Sequence, residues 1–401
     1  MSARALVALL AAALTTALAA APGATAAERP PRLQAKSAIL IEATTGDVLV
    51  RKAAARERPI ASATKLMTAL LALEDVSLGD TFAAADYSPA AVESKIDLRP
   101  GEHMRVRDLL RALLLESAND AAVTLAVGVS GSRSAFVRDM NRRARQLGLK
   151  HTSYANPIGL DDPDNFSSAA DLVAMARRLE RNPFFARTVD LPRATLRTGA
   201  RDRTVINRNT LVRRVGWVDG IKTGHTNTAG YVLVGSATRD GVHVLSAVLG
   251  EPSEAARNAD SEALLRYGLS RYRRATLLAR DDVLARAKVR HREEDAIGLE
   301  SSRRVTRVIR RGQRARVSVA APAVLEGPLP RGARAGTATV RLGGDVVARV
   351  PLVTSRPVPE VAWPERAWRA VGRPEVLVVV LALALGGSVL LAMRRRRVRT
   401  A

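Results

Sequence analysis

The chain has no cysteine at all, which removes disulfides, thiol nucleophiles and cysteine-bound metals from consideration. Aromatic residues make up only 3% of the sequence, too few for the stacking platforms that read single-stranded nucleic acid. There are five histidines: His103, His151, His225, His243 and His291. None sits in a His-Glu-x-x-His or comparable ligand spacing, so nothing in the sequence implies a metal or any other cofactor. Negative charge is also in short supply. Against 63 Lys and Arg stand 39 Asp and Glu, a net charge of +24. The basic residues are scattered and no nucleic-acid motif accompanies them. Nucleic acid is therefore not the expected partner, and an anionic wall or membrane surface suits the charge better. No internal repeat is present.

What the chain does have begins at its ends. Residues 1–26 read as a secretory signal: Arg4, then an apolar run from Ala5 to Ala21, then the small residues Ala24-Thr25-Ala26. Residues 376–393 form a run without charge, just long enough to span a bilayer, and the basic tail 394–401 opens with Arg394 to Arg397. By the positive-inside rule that tail is cytoplasmic, and Trp363 and Trp368 mark the outer interface. The expectation is a single-pass protein of the cell membrane whose body lies outside the cytoplasm.

Between the ends, two textures alternate. Ser37 to Ala43 and Asp47 to Lys52 read as a hairpin turned at Thr44-Thr45-Gly46. Helical periodicity runs over 62–74, 106–115, 121–127, 134–147 and 169–179. Residues 218–223, 230–237 and 242–249 are three consecutive strands, closed by a helix over 255–271. Early strands, a helical middle, late strands and a last helix predict one α/β domain whose first and last segments share an antiparallel sheet. Short β-like runs at 305–309, 315–320, 337–342 and 346–352 predict a small all-β domain over 276–355. Residues 356–375 read as a proline-bearing linker.

Three short motifs carry chemistry. Ser62-Ala63-Thr64-Lys65 stands at a helix start, where unpaired N–H groups favour a developing oxyanion. The i, i+3 spacing brings Lys65 to the Ser62 hydroxyl, so a neutral lysine can act as the base for a serine nucleophile. Ser117-Ala118-Asn119 falls at a break between helices and offers a hydroxyl and a carboxamide for proton relay and orientation. Lys222-Thr223-Gly224 ends a strand. It offers an ammonium and a hydroxyl as donors, and its glycine removes a side chain from the strand edge. Lys222 near Lys65 would lower the Lys65 pKa by like-charge repulsion.

In this order the motifs resemble those of the D-alanyl-D-alanine carboxypeptidases among the low-molecular-mass penicillin-binding proteins, over about 35–352. Ser117 to Ala122, Asp219 to Thr226, Asn207-Arg208-Asn209 and Arg257 to Gly268 extend the likeness. Asn227 departs from the aspartate often found there. The resemblance implies a β-lactamase/transpeptidase-like α/β fold over 33–273, an antiparallel sheet with helices on both faces, then the β domain and the terminal transmembrane helix. It implies Ser62 as nucleophile, Lys65 as general base, Ser117 as relay and Asn119 as the orienting amide. Lys222, Thr223, Gly224, Arg208 and Arg257 would bind substrate, and the backbone N–H groups of Ser62 and His225 would form an oxyanion hole. The implied partners are a peptidoglycan stem peptide ending in D-Ala-D-Ala, β-lactam antibiotics and the bacterial membrane. Removal of the terminal D-alanine is the expected reaction. Cleavage of cross-links by an endopeptidase, and an idle wall-binding scaffold, stay open as alternatives. No Glu-x-x-Leu-Asn pattern follows Asp161, Asp162 and Asp164, which argues against a β-lactamase.

Overall fold

The computed structural model describes residues 29–290, 292–360 and 374–398, which fall into two compact units divided between Arg271 and Tyr272. The proposed signal segment, Trp363, Trp368 and the last residues of the tail lie outside the described residues.

The first unit is built on a five-stranded antiparallel sheet. Its strands are β1 (Ser37–Glu42), β2 (Val48–Lys52), β3 (Val218–Thr226), β4 (Gly230–Arg239) and β5 (Val242–Glu251), in the spatial order β2-β1-β5-β4-β3. The predicted hairpin therefore pairs with the last strand, Ser37 opposite Leu249 and Glu42 opposite Val244. This order leaves β3, which carries Lys222-Thr223-Gly224, at the sheet's edge.

Alternation along β1 shows that both faces are covered. Ile39 and Ile41 join one core with helices α1 (Lys65–Asp75), α2 (Asn119–Ser130) and α3 (Ala169–Leu179). Leu40, between them, turns to the other face, where it and Val244 meet Gly268 of helix α4 (Glu254–Arg271). Successive side chains of a strand point to opposite faces, so a strand covered on both sides reads as continuously apolar, as Ala38 to Ile41 does. An antiparallel sheet with helices on both faces is the arrangement expected for this unit.

Helix α1 is buried all round from Lys65 to Ala72. A helix of that kind belongs at the centre of a domain. Its neighbours start where the sequence supplies caps. The Ser168 hydroxyl accepts from Asp171 N ahead of α3, and Asn182 accepts from Phe184 N and Phe185 N just before a short helix that opens on Pro183. The segment leading from α1 to α2 is pinned by a buried ion pair. Arg203 donates to both oxygens of Glu102 at 2.7 and 2.9 Å and to the carbonyl of Ile96 at 2.8 Å. Burial pushes the Glu102 carboxyl up, but the bonds from Arg203 outweigh it and hold the group down at about 2.

Two expected helices differ in detail. Residues 61–64 form a 3₁₀ turn, and the α-helix proper begins at Lys65. Residues 106–111 are α-helical, but 112–116 widen into a π turn, after which Ser117 adopts the left-handed conformation. Such a turn commonly marks a functional site.

The second unit has its own core, including Val289, Ile297, Leu299, Val340, Val350 and Leu352. Strands cover each of the four predicted β runs. The structure adds Tyr272–Leu278, Val283–Val289 and Arg292–Ser301. Arg292–Ser301 opens on four charged residues and Tyr272–Leu278 carries Arg273 and Arg274, which masks the apolar residues that face the core. The C-terminal residues form one helix, Pro374–Val398, that runs on through the four arginines. Among the described residues no helix is long and apolar enough to cross a membrane, so the span read over 376–393 has no support here. Gly386, Gly387 and Ser388 interrupt its apolar run.

Glu251, at the end of β5, is buried against Asp260 of α4, whose carboxylate accepts from Gln34 N and Ala35 N. Burial, and then the adjoining Asp260 carboxylate, push the Glu251 carboxyl from 4.5 to about 8. Folding therefore takes up a proton between those values. The stability this proton confers is complete below pH 4.5 and is lost as pH rises towards about 8. The thermal midpoint should fall across that window in the native protein and fall less in Glu251→Gln. Identical slopes for the two would show that Glu251 does not titrate there.

Candidate active site

Ser62 and Lys65 come from the turn that leads into α1. The Lys65 ammonium donates to Ser62 Oγ at 3.0 Å and to the carbonyl of Ile158 at 2.5 Å. Ser117 stands on the far side of the widened turn, with φ 63° and ψ 29°. That conformation is uncommon for a residue with a side chain, and it sits here beside reactive groups. Lys222, on β3, donates to Ser117 Oγ at 2.9 Å and to the carbonyl of Thr223 at 2.8 Å. Two lysines and two serines from three separate elements thus meet in one place.

Both lysines are completely buried, and the environment is hostile to their charge. Burial lowers the Lys65 pKa well below its usual value, and Lys222 lowers it further; Glu93 and Asp120 act in the opposite direction. Like-charge repulsion, which the motif spacing suggested, is thus the second cause and desolvation the first. Lys222 is brought down to about 7, first by burial and then by Arg208 and Arg257. A lysine near neutrality is a competent base, and one that is still partly charged attracts a carboxylate.

The two arginines act on Lys222 through space. Arg208 donates through Nε to Glu116 Oε1 at 2.8 Å. Arg257 is buried, donates to Glu254 at 2.7 Å and to Asn258, and lies 5.9 Å from the centre of the Tyr231 ring. Asn207 and Asn209 set the approach of Arg208: Asn207 donates to the carbonyls of Val189 and Leu191, and Asn209 to that of Gly220. The His225 ring stacks on Tyr231 with 4.0 Å between centroids and remains exposed.

Asn119 opens α2. Its amide nitrogen donates to Glu93 Oε2 at 2.6 Å, and its backbone N–H to the carbonyl of Ser94 at 2.8 Å. Glu93 belongs to no motif, and no spacing points to it. The loop over 156–165 is rich in Gly, Pro and Asp. It supplies the Ile158 carbonyl to Lys65, and Asp161 accepts from the Thr226 hydroxyl at 2.6 Å. Asn156 Oδ1 collects the N–H groups of Ile158, Gly159 and Leu160, so the Asn-Pro-x-Gly sequence was the signal for this turn.

Glycine lets these pieces close together. Gly159 has φ +89°, and a Cβ there would lie 2.0 Å from the Ala61 carbonyl oxygen. A Cβ on Gly224 would meet the Ile60 carbonyl oxygen at 2.9 Å and Ser62 N at 3.1 Å. The edge strand therefore touches the backbone of the nucleophile turn itself. A lysine on one serine and a second lysine on another, beside an open strand edge, are groups suited to serine/lysine acyl transfer.

Similarity to known proteins points the same way. Residues 24–253 match the family described as D-alanyl-D-alanine carboxypeptidase, and 272–360 match the C-terminal domain of penicillin-binding protein 5. The D-alanyl-D-alanine carboxypeptidase DacF of Bacillus subtilis is 32% identical over 328 residues, covering 80% of this chain and 84% of that protein. DacA of Escherichia coli is 32% identical over 349 residues, 82% of this chain and 85% of its own. The structure of penicillin-binding protein 5 from Haemophilus influenzae superimposes with a TM-score of 0.61 at 28% identity, covering 83% of this chain and all of that one. The chain belongs to the D-alanyl-D-alanine carboxypeptidase family.

The Gly224 contact makes a specific prediction. In Gly224→Ala the new methyl must displace either the edge strand or the Ser62 turn. A shift of that kind should slow acylation by about 10²-fold while the protein stays folded. Stopped-flow acylation beside a thermal melt checks this; an unimpaired rate would mean the turn yields freely.

Proposed function

We propose that the protein is a serine-type D-alanyl-D-alanine carboxypeptidase that works through an acyl-enzyme on Ser62. The observation that carries this reading is the chain of contacts from Ser62 Oγ to Lys65 and from Ser117 Oγ to Lys222, inside a site that depresses both lysines. Neutral Lys65 takes the Ser62 proton as the oxygen attacks the carbonyl between two terminal D-alanines. The oxyanion is received by the backbone N–H groups of Ser62 and His225, which the Gly224 contact supports by setting β3 against the Ser62 turn. Ser117 hands a proton to the leaving amine, and Asn119 orients the peptide. The terminal carboxylate is drawn by Lys222 and Thr223 and by the positive field of Arg208 and Arg257. Water then releases the shortened peptide. A β-lactam presents the same carbonyl and carboxylate, and its ring-opened acyl group stays on Ser62.

Membrane attachment belongs to the same reading. The charge-free run over 376–393 and the arginines behind it support an anchor, with the catalytic unit outside the cytoplasm.

Ser62→Ala should lose both covalent labelling by a fluorescent penicillin and release of D-alanine from a peptide, each by at least about 10³-fold. Retained release would assign the chemistry to another residue. A chain ended at Pro364 should fractionate as a soluble protein and still process a small peptide. Should it stay with membranes in high salt, attachment lies elsewhere in the chain.

A further inference from the structure

We propose that Glu93 is a positioning residue of the acyl-transfer site: its carboxylate fixes the Asn119 carboxamide in one orientation and supplies the negative charge that faces Lys65. The inference rests on the reading of Ser62 and Lys65 as nucleophile and base and adds to it a residue from outside the three motifs.

The geometry at Glu93 is built from both sides. Oε2 accepts from Asn119 Nδ2 at 2.6 Å and from the Tyr87 hydroxyl at 2.5 Å, while Oε1 accepts from Ala90 N at 3.0 Å. The loop around it is fastened to the first turn of α2. Asn119 N donates to the Ser94 carbonyl, and the buried Asp120 carboxylate accepts from Ile96 N and Leu98 N. Glu93 is thus held at the same helix start that presents Ser117 and Asn119.

An ionised carboxylate only accepts hydrogen bonds. Opposite Glu93, the Asn119 amide must therefore present its nitrogen. Turning it over would set two oxygens against each other. A substrate or proton relay then meets one fixed arrangement of donor and acceptor, not two. Burial works against the Glu93 charge, but the bonds from Tyr87, Asn119 and Ala90 outweigh it and keep the carboxyl below its ordinary value.

That charge has a second consequence. The groups that face Lys65 are the Ser62 hydroxyl, the Ile158 carbonyl, Lys222 from the edge strand, Asp120 from α2 and Glu93 from the loop. Burial and Lys222 drive Lys65 towards neutrality; Glu93 and Asp120 resist. Glu93, with Asp120, therefore raises the pH above which Lys65 is free to accept the Ser62 proton, against the larger effects of burial and Lys222. Too little opposing charge would give a weak base, and too much would leave a lysine that is protonated at neutral pH.

The test uses the full chain and the second-order rate of acylation by a fluorescent penicillin, followed against pH. Two variants separate the two roles. E93Q keeps the size and removes the charge, so its acidic limb should move to lower pH by about one unit. E93D keeps the charge but cannot reach Asn119, so its limb should stay near that of the native protein while its plateau falls about tenfold. Glu93 is not among the charges that shift Lys222, so an alkaline limb from Lys222 should not move in either. Thermal melts check that both variants fold. A residue that merely staples the loop would lower the plateau in both variants and shift neither limb, and that result would overturn the proposal, as would unchanged profiles. Labelling of the native protein at Ser62 tests the acyl-enzyme reading by itself. Its failure would remove that reading, whereas normal labelling beside an unmoved E93Q limb removes only the role of Glu93.

Discussion

Two lysine ammoniums buried in one site is the constraint on which the rest of this structure depends. Desolvation of either charge is unfavourable, and nearby cations add to it: Lys222 at Lys65, and Arg208 and Arg257 at Lys222. A protein core would ordinarily exclude such a pair. Here every neighbouring element contributes something that makes it tolerable. The Ile158 and Thr223 carbonyls and the Ser62 and Ser117 hydroxyls accept the N–H groups, and Glu93 and Asp120 supply opposing charge. What remains uncompensated is the chemistry: a lysine held near neutrality is a base, and a cation short of partners attracts a carboxylate.

Holding that arrangement takes a rigid frame and a few strained joints. The frame is the sheet whose first and last strands pair, covered by helices on both faces, so that β3 is fixed along one side and open along the other. The joints lie at the nucleophile turn and at the end of the widened helical turn. Ala61 and Ser117 both take positive φ, 46° and 63°, where residues with a Cβ are disfavoured. Conformations of this kind cost on the order of 1–3 kcal/mol each and persist because the surrounding packing leaves no alternative. Both flank reacting groups, as expected where strain serves geometry.

The acidic residues of the site differ in kind from its basic ones. Lys65 and Lys222 lie in motifs with fixed spacing, whereas Glu93, Asp120 and Asp161 reach the site from a loop, a helix start and a second loop. Their work is done through hydrogen bonds from backbone, amide and hydroxyl groups, which many acidic side chains at many positions could accept. That is why a scan for spacing finds the lysines and passes over Glu93.

Sequence alone determined the parts that depend on local periodicity and on chemistry written into short spacings. The three strands over 218–249, the helix after Lys65, the four β runs of the second unit and the three motifs were all legible, because each is decided by neighbours a few residues away. The tertiary structure decided the rest. Only folding brings Lys222 within 2.9 Å of Ser117 across 105 positions, or Lys65 within 2.5 Å of the Ile158 carbonyl across 93. Only packing could show that desolvation outranks like-charge repulsion in lowering Lys65, or that Gly224 touches the backbone of Ser62. Burial and long-range contact are properties of the assembled chain, and no local pattern encodes how deeply a given lysine will be enclosed.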